Sequence, residues 1–177
     1  MRITALDLAT KTGVCYGEAG AKPMFTTWNF SSFKIRGMRA LYLNYYLDKH
    51  LNEFVPDKIY IERPLNPRTL FEIGTRDETA TLLSGLVLVA EMVAAKHGIN
   101  VDSTITPQVA RQHFLGRSKF SERGEGKEVS FRRAKMLEWP VHDLDQADAA
   151  ALWDLGCARS RPNAWSRAAV ERPLRTA

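Results

Sequence analysis

Hydrophobic positions recur in short alternating runs at the start of the chain and at helical spacing later on. Ile3, Ala5 and Leu6 open a buried strand that runs into Asp7. Val14 to Glu18 pairs with it across a turn at Lys11-Thr12-Gly13, and Met24 to Phe30 supplies a third strand, so an antiparallel meander is expected. Leu41, Tyr45, Leu47 and Leu51 then recur with helical period, which predicts a helix over Arg39 to Phe54, stopped by Pro56. Lys58 to Glu62 is a short apolar strand, and Pro64 and Pro67 force a loop after it.

The longest helical pattern covers Asp77 to His97, with Gly98 placed to cap it. Ile99 to Ile105 is a further strand. Thr106-Pro107 reads as an N-cap followed by proline at the first helical position, leading a short helix over Val109 to Phe114. Leu115 to Gly126 is glycine-rich and charged, and is expected to be a mobile loop. Glu128 to Glu138 and Asp143 to Ala158 are the last two helices, separated by Pro140. The order βββαβαβααα predicts an α/β domain with a mixed five-stranded sheet and helices on both faces, spanning residues 1–158. Residues 159–177 are polar and arginine-rich with two prolines, and are expected to form a basic, flexible tail.

Composition narrows the class. The chain has 177 residues, 45% apolar and 25% charged, which suits one soluble domain. The apolar stretch Leu82 to Met92 is interrupted by Ser84, Gly85 and Glu91, so no membrane span is expected. The first strand starts at Arg2, leaving no room for a signal peptide. Cys15 and Cys157 make neither a metal spacing nor a disulfide framework, so a cytoplasmic location is expected. The net charge of +5 is unevenly spread. Eight basic residues against three acids lie between Arg111 and Lys135, and the tail carries four net positive charges, so the remainder is net acidic by about four. A basic surface beside an acidic remainder fits a polyanion partner such as DNA or RNA.

The acids carry the chemistry. Asp7 sits in the apolar run RITALDLAT, Glu62 ends the strand DKIYIERP, and Asp145 and Asp148 lie three apart on the alanine-rich segment HDLDQADAAALWDLG. Carboxylates in apolar surroundings are costly unless compensated. If the strands of Asp7 and Glu62 are neighbours, both acids meet at one sheet edge; Asp145 and Asp148 project from one side of a helix. Asp143, with Gln146 three residues on, reads instead as a capping box and is assigned to the helix N-cap. All-oxygen ligands select hard divalent ions such as Mg²⁺ or Mn²⁺, and two of them about 3.5–4 Å apart can hydrolyse a phosphodiester.

These residues resemble the RuvC-type Holliday-junction resolvases of the ribonuclease H-like superfamily. The matching pieces are Asp7 with Thr12-Gly13 in DLATKTG, Glu62 in IYIERP, and Asp145-Gln-Ala-Asp148 before a run of alanines. TPQVARQHFLG is similar to the family's proline-led segment, and GEGKEVSFRRAKML to the segment whose lysine, here Lys127, stands near the scissile phosphate. The match runs over roughly residues 2 to 156. The DLATKTG form looks more like resolvase relatives of phage or prophage origin. Two departures stand out: Leu8-Ala9 replaces the Pro-Gly of the cellular enzymes, and Leu65 replaces the aromatic implicated in opening the junction, with Phe71 the nearest substitute.

The resemblance implies a ribonuclease H-like fold and a two-fold homodimer cutting four-way or other branched DNA. It implies Asp7, Glu62, Asp145 and Asp148 as catalytic ligands of two Mg²⁺ or Mn²⁺ ions, with Lys127 at the phosphate. Arg117, Lys119, Arg123, Lys127, Arg132 and Arg133 are the candidate DNA contacts. The alternatives are a related nuclease cutting RNA–DNA hybrids or flaps, and a non-catalytic junction-binding protein. His142 is near enough in sequence to the acidic pair to be a candidate for supporting a metal ligand or for acting as general base. Tyr42, Tyr45 and Tyr46 read as core or dimer contacts, the helix Asp77 to His97 as the dimer face, and Trp165 as a contact to a partner.

Overall fold

The architecture is that of a computed structural model, described here for residues 1–64, 77–122 and 124–160. Five strands form one mixed sheet: β1 (Arg2–Asp7), β2 (Lys11–Glu18), β3 (Met24–Asn29), β4 (Lys58–Glu62) and β5 (Asn100–Ile105). Their order across the sheet is β3-β2-β1-β4-β5. The meander β1–β2–β3 is antiparallel, while β4 pairs with β1 and β5 with β4 in parallel. The parallel pairings follow from the connections, because each crossover carries a helix. Those helices are α1 (Arg36–Glu53) and α2 (Asp77–Lys96), followed after β5 by α3 (Pro107–Leu115), α4 (Glu125–Met136) and α5 (Leu144–Ser160).

Strand alternation divides the core between the two faces. Leu6, Leu8, Val14, Ile59 and Ile61 pack with Leu43, Leu47 and Leu51 of α1 and Leu86 and Ala90 of α2. Ile3, Ala5, Cys15 and Tyr60 face the other way, onto α3, α4 and α5. Asp7 is on this second side, because Leu6 and Leu8 on either side of it belong to the first. Helix α5 is buried without interruption from Gln146 to Cys157. Its alanines and Gly156 permit that close approach: a Cβ on Gly156 would fall 2.6 Å from the Tyr60 ring.

The structure moves several boundaries and one expectation. Lys11, Thr12 and Gly13, expected as the turn, open β2 because they pair with β3, and the chain turns at residues 8–10 instead; α1 begins at Arg36 rather than Arg39. Helix α4 begins at Glu125 rather than Glu128, so Gly126 and Lys127 are helical rather than at the end of a loop. Glycine content alone suggested the loop, but Gly126 is there for space: a Cβ would come within 3.1 Å of the Arg111 guanidinium. Helix α5 extends to Ser160, whose hydroxyl is 2.7 Å from that of Tyr60. By length and composition, Glu78–Lys96 of α2 is also apolar enough to cross a membrane, with a mean hydropathy of 1.5, contrary to the reading from Leu82 to Met92 alone. The flanking alanines raise its average, and its Leu82, Leu86, Ala90 and Val93 are packed in the core. The caps follow the sequence: Thr106 accepts from Val109 N at 3.4 Å, and Gly98 takes a left-handed conformation past α2.

Candidate active site

Strand pairing brings the first two acids together. Leu6 of β1 is in register with Ile61 of β4, so Asp7 and Glu62, each one residue on, end adjacent parallel strands. Asp7 also pairs with Gly13 of β2, and that glycine admits the third element. A Cβ on Gly13 would stand 2.0 Å from the carbonyl oxygen of Asp145. The Thr12-Gly13 start of β2 therefore lets the start of α5 rest directly on the hairpin, placing Asp145 and Asp148 over the sheet edge. Thr12 fixes the turn, its hydroxyl donating to Ala9 O at 2.9 Å.

Asp143 has the expected capping role. It accepts from Gln146 N at 2.8 Å and from the Thr27 hydroxyl at 2.8 Å. The Gln146 amide reaches back to His142 N, one residue before the cap, rather than to the cap itself. His142 lines a cavity together with Lys11, Lys127, Asp143 and Asp145.

Among the described residues, three cations face Asp7, Asp145 and Asp148. Lys127 Nζ lies 3.4 Å from Asp7 Oδ2, 2.9 Å from Asp145 Oδ1 and 3.2 Å from Asp148 Oδ2. Arg111 of α3 grips Asp148 at two points: Nη2 is 3.0 Å from Oδ1 and 2.9 Å from Oδ2, and Nε is 3.2 Å from Oδ1. Such a fork is the strongest geometry for a carboxylate, and Asp148 is almost fully buried within it. Sequence reading counted Arg111 only as one basic residue among eight. Its signal was present: it precedes Phe114 by three residues and follows Ala110, both buried, so it borders the apolar stripe of α3. Lys11 was passed over as a turn residue, yet its ammonium stands 3.1 Å from Asp143 Oδ2 and 3.5 Å from Asp145 Oδ2.

Electrostatics show that these cations do not fully neutralise the site. Burial raises Asp7 to about 6, and the charges of Asp148 and Asp145 add to the rise while Lys127 opposes it. Burial also raises Glu62 well above the ordinary carboxylate range, reinforced by Asp7 and Asp148 against the pull of Arg111 and Lys127. For Lys127, burial works against the charge, but Asp7 and Asp148 more than offset it and hold the ammonium protonated. A buried, oxygen-only donor set with mutually repelling acids has the chemistry that a hard divalent cation relieves. Among the described residues no three acids, histidines or cysteines already close on one point as a ligand set. Lys127 Nζ stands among Asp7, Asp145 and Asp148, and the Arg111 head closes on Asp148.

The fold recurs in solved structures. The chain superposes on RuvC of Thermus thermophilus with a TM-score of 0.65 at 17% identity, over 90% of this chain and 96% of that one. T. thermophilus RuvC in complex with a Holliday junction substrate gives 0.67 at 16% identity, over 91% and 96%. The yeast mitochondrial Holliday junction resolvase Ydc2 gives 0.57 at 14%, over 90% and 81%. The fold is that of RuvC. No family model and no curated protein sequence matches the chain.

On this RuvC-type, ribonuclease H-like frame the expected DNA-contact residues separate. Lys127 joins the acids. Arg117 pairs with Glu125 at 3.4 Å and covers the Phe120 ring at 4.9 Å. Arg132, Arg133 and Arg117 rim a cavity floored by Phe114, Leu115, Val129 and Met136, farther along α4. Lys119 is exposed between α3 and α4. Arg123, Leu65, Phe71, Trp165 and the tail beyond Ser160 lie outside the described residues, whereas Arg159 and Ser160, expected in the tail, end α5. Tyr42 stacks on Phe33, while Tyr45 and Tyr46 are exposed on α1.

Proposed function

We propose that the protein is a metal-dependent, structure-selective endonuclease that resolves four-way DNA junctions, a crossover junction endodeoxyribonuclease. The observation that supports this most is the convergence of Asp7, Glu62, Asp145 and Asp148 on one edge of a RuvC-type sheet, with Asp7 and Glu62 destabilised by burial and repulsion. These four side chains would hold two Mg²⁺ or Mn²⁺ ions. Bound there, the ions supply an activated water and stabilise the leaving oxygen of the phosphodiester. Arg111 orients Asp148, and Lys127 keeps a positive charge where a phosphate would meet the acids. A cytoplasmic location fits the two buried cysteine thiols.

Two symmetric cuts call for a two-fold dimer. The outer faces of α1 and α2 support one: Leu41, Tyr45, Leu88 and Met92 are more than half exposed there. They adjoin a cavity of about 520 Å³ between Met38, Tyr42 and Lys96. Mixing Asp7→Asn and Glu62→Gln proteins with a labelled four-way junction and Mg²⁺ tests the assignment. Both variants should bind the junction and leave it uncut. A variant that still cuts at the wild-type rate would remove its residue from the site.

A further inference from the structure

Lys11 stands at the outer edge of the acid cluster, 3.5 Å from Asp145 Oδ2, and the fold fixes where its strand lies. It stands two residues before Gly13 on β2, on the face shared with Asp7, because Gly13 and Asp7 are direct partners across the hairpin. The contact between Gly13 and the Asp145 carbonyl pins this hairpin to the start of α5. Lys11 and Lys127 therefore approach the same carboxylate from its two oxygens, Oδ2 at 3.5 Å and Oδ1 at 2.9 Å. Lys11 is the more exposed of the two, at 44% against 34%.

Between the lysines lies a cavity of about 370 Å³ walled by Phe131, His142 and Leu144 as well as Asp143 and Asp145. Asp143 is the nearest acid to Lys11, but as a helix cap it already accepts from Gln146 N and from Thr27. Lys11 can leave Asp143 without stranding a buried charge. An aromatic ring, an imidazole and an apolar side chain between two ammonium groups suit a nucleotide: phosphate at the cations, sugar or base against Phe131 and Leu144.

We propose that Lys11 contacts the DNA phosphate next to the one that is cut, and that the cavity beside it takes the flanking nucleotide. This rests on the nuclease reading above. The test uses full-length protein and a four-way junction carrying single methylphosphonates, each removing one phosphate charge near the cut, with Ca²⁺ in place of Mg²⁺ to read binding alone. One position next to the cut should weaken wild-type binding severalfold and leave Lys11→Gln unaffected. The salt dependence of Lys11→Gln should be shallower by about one unit of slope, about a threefold smaller loss of affinity when salt is raised fourfold. Lys11→Arg should restore both. Phe131→Ala should redistribute cutting among junctions that differ only in the flanking base. Equal weakening of wild type and Lys11→Gln at every modified position, with unchanged salt slope, would overturn the inference. If Lys11→Gln melts early, the same comparison on Lys11→Arg decides: loss of the wild-type response at that phosphate counts against the contact. Failure of the wild-type protein to cut any four-way junction would instead remove the nuclease reading.

Discussion

Arg111 and Asp148 form a two-point ion pair in which both carboxylate oxygens lie within 3.0 Å of one guanidinium nitrogen. The pair joins α3 to α5 and fixes the innermost acid of the site. It also explains Gly126, which leaves room for the guanidinium one residue before Lys127. Fold and site are coupled here: the arginine that packs the helices also determines where the fourth carboxylate can point.

Arg111→Leu leaves the buried Asp148 carboxylate with Lys127, 3.2 Å away, as its ion-pair partner among the described residues. The cost of stranding a buried charge is about 3–5 kcal/mol, and Lys127 should bring it to the lower end. Chemical denaturation of the metal-free protein measures it. A loss below about 1 kcal/mol would show that Asp148 is not held as described.

Gly13→Ala places a methyl group 2.0 Å from the Asp145 carbonyl oxygen, a contact between two backbones that no side-chain rotation relieves. Overpacking of this kind costs about 1–3 kcal/mol and should displace Asp145. Junction cleavage should fall far more than the melting temperature does. Unchanged cleavage would mean that α5 does not rest on the hairpin.

His50 gives the metal-free fold a pH dependence of known sign. Its ring is enclosed by Tyr16, Trp28 and Phe54, and its Nε2 is 3.1 Å from the Thr4 hydroxyl on β1. Burial lowers it to about 4 from an unfolded value of 6.5. The unfolded chain therefore binds the extra proton between those values. The stability is present above pH 6.5 and falls as pH drops towards 4, by about 3 kcal/mol at most. The pH slopes of stability for wild type and His50→Leu should differ between about pH 4 and 6.5 and agree on either side of that window; parallel slopes through it would refute the assignment.

Asp7→Asn removes one of the repelling acids. Without metal the variant should be at least as stable as wild type at pH 7.5, because burial and neighbouring carboxylates disfavour the Asp7 charge. With Mn²⁺ the wild type should gain the larger rise in melting temperature. An equal gain in both proteins would exclude Asp7 as a ligand.

Much of this was legible in the sequence because the acids break apolar patterns. Asp7 interrupts a strand, Glu62 ends one, and the Asp145–Asp148 spacing fits one side of a helix. Asp143 was separable by its capping pattern. The adjacency of β1 and β4 was conditional in sequence, since a crossover helix stands between them; the parallel register settles it. Arg111 and Lys11 were missed for a different reason. Charge counting treats every basic residue alike, whereas which ones turn inward depends on helix stripe and hairpin register. Both cues were in the chain: Phe114 three residues after Arg111, and Gly13 two residues after Lys11.

The most direct measurement of the central claim is side-by-side cleavage of a labelled four-way junction, a flap and an RNA–DNA hybrid by wild-type protein with Mg²⁺ or Mn²⁺. Paired cuts at symmetry-related positions of the junction, faster than any cut in the other two and absent in Asp7→Asn, are the predicted result. Rapid cutting of the hybrid or the flap with the junction left intact would contradict it.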